Sequence, residues 1–189
     1  SGEIQNSEIL SESAGTFANL QNEIDNTSEG SVLTLTRDYN GNSNSIIHLN
    51  KDLTIDGHGH TLNCKSGAGG SAFYSDKGNI ILKNLIITNT HNTDTEKGGA
   101  IYITGTAQYT LENCTFYDNH ADSYGGAIYS DGGKSLTIKN CTFKSNSAND
   151  DDGGAIYSEG EIHIENSIFD SNKAYVDGGA IFSAKNIFI

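Results

Sequence analysis

Gly98-Gly99-Ala100-Ile101 is followed by Tyr102, and the same tetrapeptide returns three times with an aromatic residue behind it: Gly125–Ile128 with Tyr129, Gly153–Ile156 with Tyr157, and Gly178–Ile181 with Phe182. The spacings of 27, 28 and 25 residues fit one coil of a solenoid whose loops vary in length. A degenerate fifth copy, Gly69-Gly70-Ser71-Ala72-Phe73-Tyr74, places Ala72 28 residues before Ala100. A repeat running through most of a 189-residue chain predicts one continuous body rather than several domains.

Aligned on the glycines, each period shows three apolar segments that are too short for helices and end in turn residues, the pattern of three short strands per coil. The second segment alternates apolar and polar residues, most clearly in Leu136-Thr137-Ile138-Lys139-Asn140 and again at Tyr109–Asn113 and Ile162–Asn166. The third carries Phe-x-x-Asn at Phe116–Asn119, Phe143–Asn146 and Phe169–Asn172. Coils stacked about 4.8 Å apart would align these phenylalanines inside and the asparagines in ladders at the turns. Asn113, Asn140 and Asn166 close the second segment, where asparagine tolerates the left-handed backbone conformation. The glycine pairs predict a bend or a positive φ before the first strand, and the alanine a tight wall. We expect Ile101, Ile128, Ile156 and Ile181 to point inward and the following aromatics outward; alternation alone leaves the reverse open.

Residues 1–15 are polar and are expected to be disordered or loosely attached. A helix is expected within 16–30: Phe17, Leu20 and Ile24 share one face behind Thr16, a residue suited to capping, and such a helix would plug the open end of a solenoid. Residues 31–189 form the solenoid, opening with irregular coils around Val32–Thr36, Ile46–Leu49 and Leu53–Gly57; Ile55 lies 27 residues before Leu82, in register with the later repeats. Ile87 takes the Phe position in the next coil. Ser1-Gly2 reads as a cloning remnant, and Asn186–Ile189 falls in mid-strand, so a longer natural chain is expected.

A formal net charge of −13 with one arginine, Arg37, gives no basis for gripping phosphates, which argues against nucleic acid or an anionic membrane surface as partner. No apolar run is long enough to cross a bilayer. The wealth of Asn, Ser, Thr, Gly and Asp, with no Pro, Met or Trp, suits a secreted or surface solenoid. Three cysteines do not make a closed disulfide framework; Cys114 and Cys141 occupy equivalent places and read as small stacked core residues, while Cys64 has no repeat partner.

The joint presence of Gly-Gly-Ala-Ile and Phe-x-x-Asn once per coil resembles the polymorphic outer-membrane protein repeats of bacterial autotransporter adhesins. It is still more similar to the adhesin-like proteins of methanogenic archaea, where a helix like Thr16–Leu20 precedes a coil like Leu53–Gly57. The resemblance covers about residues 16–189 and implies an all-β, right-handed parallel β-helix of about 25–29 residues per coil, export to the cell surface, and a role in attachment. It carries over no catalytic residue.

For recognition the sequence offers one surface, the aromatic row Tyr74, Tyr102, Tyr129 and Tyr157, suited to a glycan or protein on a host or partner cell, though each ring could simply pack on its neighbour. Asp56-Gly57-His58-Gly59-His60 with Cys64 has metal-ligand chemistry but reads as a glycine turn. The acidic loops, Asp94 with Glu96, Asp150–Asp152, and Asp177, have oxygen chemistry suited to calcium without calcium-loop spacing, so no cofactor is expected. His91 and His120 are equivalent and are expected to form a solvent-exposed stack. Of the acceptor sequences Asn26, Asn113 and Asn140, only Asn26 lies off the repeat and is open to a glycan. The competing class is a pectin-lyase-like carbohydrate-active enzyme, which needs clustered carboxylates or a cation beside a base; the outward polar residues Thr137, Lys139, Glu112, His163 and Glu165 look scattered singly, so no enzyme is expected. A passive stalk is the third reading. The apolar last strand, Ile187–Ile189, suggests end-to-end self-association.

Overall fold

The computed structural model describes residues 13–42, 45–64, 70–93, 98–132 and 134–189. It is a right-handed parallel β-solenoid of about 6 turns with one short helix near its N-terminus. Among the described residues the strands form four parallel sheets of seven, seven, six and four strands. A middle coil runs Ile101–Ile103, Gln108–Glu112, Thr115–Tyr117 and His120–Ala121 before returning to Ile128–Ser130. The two-residue fourth strand is one more per coil than the apolar pattern marks, because only Ala121 and its equivalents Ala148 and Ala174 point inward there.

Register follows the repeat. Phe73, Ile101, Ile128, Ile156 and Ile181 pair along one sheet, with the four isoleucines inward as expected. Tyr39, Leu62, Ile87, Phe116, Phe143 and Phe169 form a second inner column. Its three phenylalanines stack with ring centroids 4.8 and 4.9 Å apart and planes within 5°. The glycine pair serves two different constraints. Gly125 has φ +62°, and a Cβ at Gly126 would lie 2.3 Å from the carbonyl oxygen of Gly154 in the next coil.

The asparagines divide the work that the sequence assigns to one ladder. Asn84, Asn113, Asn140 and Asn166 take φ of 48–52° at the corner between the second and third strands. Among the described residues their amides link the early coils, Asn113 to Asn84 and Asn84 to Asp56, whereas Asn166 turns to Glu165. The continuous ladder is the buried one of the Phe-x-x-Asn motif. Asn146 Oδ1 accepts from both the backbone N–H and the side-chain amide of Asn119, and Asn172 Oδ1 does the same for Asn146. Each amide also donates to a carbonyl one coil back, Ile87 for Asn119 and Phe116 for Asn146, so these buried polar groups are satisfied. The left-handed residue at this corner is the one before the asparagine: Asp118, Ser145 and Ser171.

Residues 1–12 of the predicted N-terminal segment lie outside the described residues; its last residue, Gly15, is in a strand, Gly15–Thr16, paired with Tyr39–Asn40. The helix spans Phe17–Asn26 and buries Phe17, Leu20 and Ile24. Thr16 and Asn19 exchange hydrogen bonds as a capping box, and Lys51 Nζ donates to the carbonyls of Ile24 and Thr27 at the other end, where a cation suits the helix dipole. Gln21 does more than fill space. Its amide donates to His48 O and accepts from His48 N, taking the place of a neighbouring strand and so closing the first edge of the tyrosine-bearing sheet.

Candidate functional site

The outward residues of that sheet are in register from coil to coil: His48, Tyr74, Tyr102, Tyr129, Tyr157 and Phe182. Alternation places them outside because the residues on either side, such as Ile101 and Ile103, are buried. Centroid separations along the row are 5.5, 5.3, 5.5, 5.2 and 5.0 Å. The rings change attitude on the way. Tyr74 and Tyr102 are tilted by 52°, whereas Tyr157 and Phe182 are parallel to within 6°. Parallel rings spaced along the axis cover one another's faces and present their rims, so the C-terminal half shows mainly hydroxyls and ring edges, and the tilted N-terminal half leaves more ring face uncovered.

The four predicted tyrosines are thus brought together, but unequally. Tyr74, Tyr102 and Tyr157 are half-buried, while Tyr129 keeps only 9% of its surface exposed. The cause is Tyr124, whose ring packs 5.9 Å from Tyr129 and 4.6 Å from Tyr157. Tyr124 precedes the glycine pair, a place held by Asp152 and Asp177 in later coils, and that break in the repeat is the sequence signal that would have found it. Burial pushes the Tyr157 phenol up to about 12, with Glu159 adding to it, and raises Tyr129 as well, where Asp131 contributes next. The row therefore offers neutral hydroxyls beside carboxylates. Hydrogen-bond donors, neutral polyols and amines suit such a surface, and acidic polymers do not.

The remaining candidate residues do not converge. His58 has φ +49°, is exposed, and its N–H is bonded to Asp56, while His60 lies against Asp38 at 3.1 Å. Cys64 is buried, which pushes its thiol up to about 12. Asp94 and Glu96 lie outside the described residues. Asp152 accepts from the backbone N–H of Asp177 at 2.8 Å, and among the described residues no three His, Cys, Asp or Glu side chains are grouped to hold a metal.

Two arrangements escape a reading by repeat alone. Asp56, Lys83, Glu112, Lys139 and Glu165, outward on the second sheet, alternate in sign coil by coil, with Lys83 3.6 Å from Asp56. On the four-stranded sheet His91 and His120 are paired, but edge to face at 76° with centroids 6.2 Å apart rather than stacked, and both are half-buried rather than exposed. His91 meets Asp122 at 3.2 Å, and His120 meets the Ser147 hydroxyl. Desolvation, helped by His91, lowers the His120 pKa.

Comparison with known proteins supplies the family. The profile described as right handed beta helix region matches residues 3–169, and that of the Chlamydia polymorphic membrane protein repeat matches residues 166–184, one unit containing Phe169–Asn172 and Gly178–Ile181. Searches of curated proteins and of solved structures gave no match.

Proposed function

Because this chain belongs to the right-handed β-helix family, we propose that it is an adhesin-like protein displayed at the cell surface, akin to the adhesin-like proteins of methanogenic archaea, whose tyrosine face attaches it to a partner cell or surface. The observation that carries this reading is the uninterrupted aromatic row from His48 to Phe182 on one face. A solenoid needs inner columns to stack; an outer row of amphipathic rings is not required by the fold. The partner is a glycan or protein surface with neutral or basic groups, since the face is rimmed by Asp131 and Glu159 on a chain of net charge −13. Neither nucleic acid nor an inserted membrane segment belongs to this function; no helix among the described residues is long and apolar enough to cross a membrane.

We hold the activity to be non-catalytic and cofactor-free. In support, carboxylates on the second sheet alternate with lysines instead of facing each other, which opposes the paired acid and base of polysaccharide cleavage. A passive stalk is the second reading, favoured by the mutual covering of Tyr157 and Phe182. Screening the purified chain against glycans and whole cells separates the readings. Saturable binding lost on changing Tyr102 and Tyr157 to Ser supports attachment; no binding leaves the stalk, and release of reducing ends from polysaccharides overturns both. Self-association is the further partner proposed. For the chain as given it would occur end to end at the C-terminal coil, where Ile187, Phe188 and Ile189 are exposed, since Gln21 and the helix occupy the other end.

A further inference from the structure

Cys114 and Cys141 lie 27 residues apart in the chain but face each other across one coil spacing. The register is fixed on both sides of them. Thr115 N bonds Leu85 O, Thr142 N bonds Cys114 O, and Ile168 N bonds Cys141 O, so Leu85, Cys114, Cys141 and Ser167 form one column. Both cysteines are 1% exposed. They are held at the corner by main-chain carbonyls, Cys114 Sγ by Leu82 and Glu112 and Cys141 Sγ by Lys139. The neighbouring Cys141 thiol, with burial next, raises the Cys114 pKa.

We propose that Cys114 and Cys141 are a modification site: under oxidising conditions they close a disulfide that staples two successive coils of the solenoid. The rung spacing of about 4.8 Å falls within the Cα separation of roughly 4.4–6.8 Å that a disulfide spans. Cys64 is excluded as a partner. Its neighbour Asn63 pairs with Thr88, and Thr88 with Tyr117, which puts Cys64 two coils away from Cys114 and at a different corner. The co-reactant is a small-molecule disulfide such as oxidised glutathione. The thiolate of one of the two cysteines attacks one of its sulfurs, forming a mixed disulfide and expelling one thiolate. The thiolate of the other cysteine then attacks the protein sulfur of that mixed disulfide, forming the protein S–S bond and expelling the second. Two protein thiols give up two protons and two electrons, and the small disulfide becomes two thiols. Burial confines the exchange to assembling or transiently opened coils, and afterwards shields the bond from reductants. Nothing in this chemistry depends on what the tyrosine face binds.

The test is to refold the full chain from denaturant in a glutathione redox buffer, alkylate, digest without reduction and map the cysteines, measuring Tm before and after adding reductant. The expected result is a Cys114–Cys141 peptide pair with Cys64 alkylated, and a Tm higher by about 5–10 °C that reductant reverses. Cys141→Ser, which reproduces the Ser167 found one coil later, should fold and show no redox dependence of Tm. Alkylation of all three thiols, a bond to Cys64, a stable glutathione adduct, or an oxidised protein with unchanged Tm would overturn the proposal.

Discussion

Replacing Phe143 by Ala probes the stack where it is least able to relax. The ring is fully buried and sandwiched, 4.8 Å from Phe116 on one side and 4.9 Å from Phe169 on the other, all three nearly coplanar in orientation. Truncating a buried phenylalanine costs about 3–5 kcal/mol, and losing two stacked partners rather than one places this case in the upper half, at about 4–5 kcal/mol. Collapse is opposed by the backbone, because the coils above and below are held apart by main-chain hydrogen bonds at fixed spacing. Phe169 is the internal control: it is partly exposed and, among the described residues, stacks on Phe143 alone, so Phe169→Ala should cost about half as much. Urea unfolding followed by far-UV circular dichroism measures the difference, with hydrogen exchange near residue 143 to catch local opening, since solenoids need not unfold in one step. A Phe143→Ala protein within about 1 kcal/mol of the parent, or a larger loss at Phe169, would refute the inward column.

Asn146→Ala removes the acceptor for two Asn119 donors and the donor for the Phe116 carbonyl, so a loss of about 2–3 kcal/mol is expected by the same unfolding assay. Gly126→Ala drives a Cβ to 2.3 Å from Gly154 O and should destabilise by about 2 kcal/mol or more, whereas Gly59→Ala meets nothing within 4 Å and pays only for φ +85°, about 1 kcal/mol. His120 has a pKa lowered by burial, so its neutral form is the one the fold favours. Stability is therefore full above the unfolded value near 6.5 and falls as pH drops toward the folded value, and between pH 7.5 and 5.5 the parent should lose more Tm than His120→Gln.

The columns were legible in sequence because a coil must place like side chains over like: Ile101 over Ile128, and Phe116 over Phe143, recur at one spacing. The helix was legible for the same local reason, one apolar face behind a capping threonine. What the period could not show is contact between residues that do not repeat. Tyr124 covers Tyr129 from a loop, and Gln21 completes a sheet edge from a helix. The charge alternation was missed differently. Asp56, Lys83, Glu112, Lys139 and Glu165 look scattered along the chain and become a ladder only when coils are laid side by side. Half-burial of the histidines likewise depends on Asp122 and Ser147, contributed by this coil and the next.

One titration tests the tyrosine face as the attachment surface most directly: binding of the purified chain to the cells or glycans it selects from a broad panel, alongside a variant combining Tyr102→Ser, Tyr124→Ser and Tyr157→Ser. Saturable binding by the parent is predicted, weakened at least about tenfold in the combined variant with the fold intact by circular dichroism, as loss of two or more anchoring aromatics should produce. Equal binding by parent and variant would contradict it.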